Sequence, residues 1–205
     1  MKNILTLFFA VVFPFMSFGQ SDSLLERFYA GVEDSCLEVE YAYSVRLAGV
    51  MNNGSGVLAS QGAMWTHKGN GVEMYCDSSV LWIVDASAKE VVIEPAATEA
   101  STAFINNPAL IFSELEDAFS VTESRMLADG QTRLYVLRPR SDIGIDYFNI
   151  ELNADAIVKR ASFALSDGNL VKIEVSSMKL TPMVPVEAFR PKTVFDSKWI
   201  VTDLR

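Results

Sequence analysis

The stretch 62–95, GAMWTHKGNGVEMYCDSSVLWIVDASAKEVVIEP, constrains the fold more than any other part of the chain. It divides into four short strands, 63–67, 72–76, 80–85 and 90–94, with turns at 68–71, 77–79 and 86–89. Strands this short, evenly spaced and separated by Gly, Asn, Asp and Ser, belong to an antiparallel meander rather than a βαβ unit. The stretch holds Trp65, Trp82, the only histidine (His67) and one of the two cysteines, Cys76. Its content is apolar and aromatic, with nothing that looks catalytic.

The first 19 residues have the three parts of a secretory signal peptide. Lys2 supplies the basic start, 4–18 is almost wholly apolar, and Ser17 and Gly19 precede a cleavage point at Gln20. The apolar run is short for a membrane span, and Pro14 interrupts it. Residues 20–205 then form one exported domain. Cleavage removes one lysine and no acid, so the net charge of −9 becomes −10. An acidic chain without a basic run is a poor ligand for nucleic acid, which demands clustered Lys and Arg. In an exported chain, Cys36 and Cys76 suggest a disulfide, worth about 4 kcal/mol in the chain-entropy model. Two buried free thiols are the alternative. One histidine and two isolated cysteines give no metal-ligand spacing.

In chain order, residues 21–33 read as a helix. Ser23 and Glu26 make a capping box, and Leu25, Phe28, Tyr29 and Val32 fall on one face. Residues 36–50 are the clearest strand, with Leu37, Val39, Tyr41, Tyr43 and Val45 alternating with polar or small residues. Asn52-Asn53-Gly54 reads as its hairpin turn, with 57–61 returning. Asn107 and Pro108 start a helix through Leu110, Ile111, Phe112 and Leu115, either an end plug or a lid over an apolar hollow. Strands resume at 119–126, 132–138, 145–152, 157–165, 170–178 and 199–204.

This inventory predicts a mainly β (α+β) fold: about ten or eleven antiparallel strands with two or three helices. A sheet of that length must curl, and incomplete closure leaves a hollow that two short helices fill only in part. An enzyme is not expected. His67 stands alone, no nucleophile elbow accompanies it, and no Gly-rich loop joins a strand to a helix. Glu38-x-Glu40 and Glu114-x-Glu116 read as solvated faces. No cofactor is implied.

The motifs Gly62-Ala63-Met64-Trp65, Lys68-Gly69-Asn70 and Asp77-Ser78-Ser79-Val80-Leu81-Trp82 resemble those of the LolA-type periplasmic lipoprotein carriers. The helix after the signal peptide and Phe189-Arg190-Pro191 agree in position. The family pattern has an Arg-Pro where Lys68-Gly69 stands, and Gly where Ser78 stands, so the chain is similar to a divergent member. The resemblance implies an incomplete β-barrel covered by helices around an apolar cavity. It also implies a monomer that takes acylated lipoproteins or lipid from an inner-membrane ABC transporter to an outer-membrane acceptor. Trp65, Lys68, Trp82, Phe104, Leu110, Ile111, Phe112 and Leu115 are then the ligand-binding candidates. A lipid-binding sensor or interaction module on the same half-barrel is the alternative.

Overall fold

The computed structural model describes residues 23–47, 50–96, 115–116 and 118–205. The expected signal peptide at 1–19 and the candidates Phe104, Leu110, Ile111 and Phe112 lie outside them.

Helix α1 (Ser23–Glu33) precedes strands β1 (Cys36–Leu47), β2 (Val50–Gln61), β3 (Met64–Gly69), β4 (Val72–Asp77), β5 (Val80–Asp85) and β6 (Glu90–Pro95). Then follow β7 (Phe119–Met126), β8 (Thr132–Pro139), β9 (Ile145–Asn153), β10 (Val158–Leu165), β11 (Leu170–Thr181) and β12 (Ile200–Asp203). All twelve make one open sheet in the order β12-β6-β5-β4-β3-β2-β1-β11-β10-β9-β8-β7. The sheet does not close on itself: β12 and β7 are its edges, as in an incomplete barrel. Eleven strands run as antiparallel neighbours, whereas β12 adds parallel to β6 after residues 182–199 carry the chain from β11, in the middle of the sheet, to that edge.

The period-2 alternation of β1 sets the two faces. Leu37, Val39 and Tyr41 are buried, and Glu38 and Glu40 are exposed. On the buried side, called here the core face, the stripe of α1 lays Leu25 and Phe28 onto the sheet. Phe119, Phe148 and Phe163 continue the core from β7 to β10 with ring centroids 5.8 and 6.2 Å apart. Tyr135, Leu137, Ile150, Leu152, Val171 and Ile173 complete it.

Two turn expectations have different outcomes. Asn70 and Gly71 both adopt positive φ, 53° and 81°, the conformation that a two-residue hairpin loop requires. Asn52-Asn53-Gly54, by contrast, is not a turn but part of β2, with Gly54 directly opposite Tyr43. A Cβ on Gly54 would sit 2.6 Å from the Tyr43 ring. The glycine makes room for an aromatic ring lying flat on the strand, which is why it stands where a turn is expected.

The expected disulfide is also absent: Cys36 and Cys76 are free, buried thiols. Cys36 lies on β1 opposite Thr181, and Cys76 on β4 opposite Trp65. Three strand spacings of about 4.8 Å separate β1 from β4, well beyond the reach of a disulfide. Register also puts the two side chains on opposite faces, since it is Leu37, not Cys36, that aligns through Ser60 and Trp65 with Cys76. Burial pushes both thiols up from their ordinary pKa, so neither is a ready nucleophile.

Candidate functional site

Strands β3–β6 differ from the rest of the sheet in carrying apolar rows on both faces. No bulge interrupts their pairing, so directly opposed residues share a face. On the outer face, Tyr75, Val84, Val91 and Ile93 form a second buried cluster, joined by Val80, Trp82, Phe195 and Trp199. Phe195 and Trp199 meet edge to face at 5.1 Å. Both belong to the segment that leads from β11 to β12, which crosses the outer face through a 3-10 turn at Val186–Phe189. Phe189 is buried there. Arg190 Nε donates to Asp77 Oδ2 at 2.7 Å, while Asp77 Oδ1 accepts from the Ser79 and Val80 amides. Burial works against the ionised form of Asp77, but Arg190 and the two amides outweigh it and hold the carboxyl below its usual value. Gln61 clamps the same segment by exchanging two hydrogen bonds with Val184. The Asp-Ser-Ser and Phe-Arg-Pro motifs are therefore two ends of one fastening.

The core face of the same strands is less filled. Trp65, Cys76, Leu81 and Glu94 make one cross-strand row, and His67, Met74, Ile83 and Val92 the next. Cys76 and Leu81 are buried, whereas Trp65, His67, Met74, Ile83 and Val92 are only half-buried. At the β3 end, His67 rests in a niche floored by glycine. A Cβ on Gly56 would lie 2.6 Å from its Nε2, and one on Gly69 3.1 Å from it. His67 Nε2 and the Tyr41 hydroxyl are 2.9 Å apart, and Asn70 Nδ2 donates to the Tyr43 hydroxyl at 2.8 Å. Burial lowers the pKa of His67 and raises that of Tyr41, so both are neutral near pH 7. The arrangement is an apolar track about 14 Å wide across four strands, with an aromatic, hydrogen-bonded head. It suits an elongated apolar ligand.

The sequence candidates divide between the two faces. Trp65 lies on the core face, packed against the main core. Trp82 is opposite Tyr75 and points to the outer face, so the two tryptophans do not floor one hollow. Lys68 is also on the outer face, 3.1 Å from Glu73 and 5.5 Å from the Tyr75 ring centroid. It is held away from the track rather than at its rim. Tyr75 donates to Glu73, and this bond, with Lys68, keeps the Glu73 carboxyl below its usual pKa. Leu115 is fully buried in the main core. Sequence reasoning missed His67, Met74, Ile83 and Val92 as a set, although the two-residue turns that align them are legible.

No family model matches the chain, and no curated protein matches it. Solved structures do. An uncharacterized conserved protein from Thermus thermophilus is 13% identical, with a TM-score of 0.54, over 88% of this chain and 96% of that one. A LolA superfamily protein from Nitrosomonas europaea is 11% identical, with a TM-score of 0.43, over 82% and 96%. A putative outer membrane lipoprotein-sorting protein domain from Vibrio parahaemolyticus is 12% identical, with a TM-score of 0.43, over 81% and 94%. The chain thus shares its fold with the conserved Thermus protein, and LolA superfamily and lipoprotein-sorting proteins stand among the structures it resembles.

Proposed function

We propose that this protein is a periplasmic carrier that shields the acyl chains of lipoproteins, or of a lipid, and passes them from the inner to the outer membrane. The half-buried row Met74–Ile83–Val92 beside Trp65 carries the reading. Each buried methylene is worth about 0.8 kcal/mol, so an acylated protein does not cross water unaided. A track that covers the chains on one side holds them more weakly than a closed core, which suits hand-over. The outer-face cluster supports the same strands from behind, so the core face need not be filled for the sheet to stand. An inner-membrane ABC transporter as donor and an outer-membrane acceptor are part of the proposal, as is a monomeric carrier.

The activity is binding rather than catalysis. His67 is bonded to a tyrosine hydroxyl and flanked by glycines, with no carboxylate paired to it among the described residues. The test is uptake of bis-ANS by the purified protein and its displacement by an acylated lipoprotein, followed by release of that lipoprotein from vesicles. Uptake, displacement and release are expected. A protein that takes up no dye and releases nothing is not a carrier.

A further inference from the structure

The apolar track has a polar head, and its chemistry selects among acyl ligands. Among the described residues, His67 Nδ1 is buried and has no hydrogen-bond partner, while Nε2 is engaged by Tyr41. Buried polar atoms without a partner are rare, and each costs free energy that a ligand atom can recover. His67 heads the row His67–Met74–Ile83–Val92, on the face where the acyl chain is proposed to lie. Met74, directly opposite, is an unbranched side chain that repacks readily around a guest.

Charge narrows the ligand further. Register places Asp85, Glu90 and Glu94 on this same face of β5 and β6. Among the described residues, no Lys or Arg lies on the core face of β2–β6, since Lys68 is on the other side with Glu73. A free carboxylate brought to this face meets acids and no cation. A neutral imidazole bonds an uncharged oxygen without that penalty.

We infer that His67, positioned by Tyr41 and the glycine niche, anchors the uncharged ester or amide oxygen of an acyl chain and discriminates against free fatty acids. The inference rests on the carrier reading and adds a specificity-determining residue to it. Tyr41 is a positioning residue. It holds Nε2, which leaves Nδ1 as the atom presented to the ligand.

The test uses methyl palmitate and palmitate, which share a chain and differ in charge, titrated at pH 8 against bis-ANS. The wild type is expected to bind the ester several-fold tighter. His67→Phe is expected to weaken methyl palmitate by about 5- to 10-fold, the worth of one hydrogen bond, and to leave palmitate within about twofold. In the wild type, the 15N resonance of His67 Nδ1 should move when methyl palmitate is added. That readout and the wild-type preference stand even if the variant fails to fold. If both probes bind equally and the Nδ1 resonance stays fixed, the anchor is wrong and the carrier reading survives. If neither probe binds, both are wrong.

Discussion

The two halves of the sheet spend their apolar residues differently. From β8 to β11, the core face carries Tyr135, Leu137, Phe148, Ile150, Phe163 and Ile173, all buried, while the outer face carries Asn149, Glu151, Arg160, Ser162 and Lys172. This is the ordinary one-sided antiparallel sheet. From β3 to β6, apolar residues occupy both faces, and the buried cluster is on the outer one, under the strap at 182–199. A sheet half that is stabilised from behind can leave its front available. The difference separates stability from the proposed binding: the first half and the strap hold the fold, and the front of the second half is the face proposed to meet the ligand.

The contrast predicts a ranking of substitutions. Phe148→Ala, in the filled half, should cost about 3–5 kcal/mol by urea denaturation, the range for a fully buried phenylalanine. Asp77→Asn should loosen the strap and cost about 1–2 kcal/mol at pH 7, since the bond is charge-assisted but Arg190 is half exposed. The folded-state pKa of Asp77 is depressed, so its contribution is present above the ordinary value of 3.8 and is lost as pH falls through the lower folded value. Wild type and variant stabilities should therefore converge in acid.

Ile83→Ala should cost about 1 kcal/mol or less in stability, because the side chain is only half-buried, yet weaken bis-ANS uptake several-fold. A loss as large as that of Phe148→Ala would erase the distinction between the halves. His67 has a depressed pKa, so below its ordinary 6.5 the unfolded chain takes up the proton first. Stability present above that pH declines as pH falls toward the folded value, and His67→Phe should flatten this part of a stability–pH profile. Lys68→Ala should be the mildest, within about 1 kcal/mol and without effect on dye uptake, because its ion pair is exposed on the outer face.

Much of this was legible in the sequence, and the exceptions have physical causes. Helix α1 and most strand bounds follow from one capping box and from period-2 alternation, which local chemistry specifies. Gly54 misled because a glycine that admits the Tyr43 ring and a glycine that turns the chain look alike in sequence. The parallel pairing of β12 depends on a long return across the molecule that no local signal encodes. The faces of Trp65 and Trp82 were available from the turns. A two-residue loop at Asn70-Gly71 sets Trp65 opposite Cys76, and the next turn sets Cys76 opposite Leu81, so Trp82 must face away. The motifs carrying the family resemblance proved to be fastenings, Asp77 to Arg190 and Lys68 to Glu73. Such residues report the fold, and the proposed track lies between them on residues without a motif.

The most direct test of the two-faced account is photo-crosslinking with an acyl chain that carries a diazirine, followed by mass-spectrometric mapping of the labelled residues. The account predicts label on Trp65, Met74, Ile83 and Val92. Label confined to Tyr75, Trp82 and Val84 on the outer face, or to β8–β10, would contradict it.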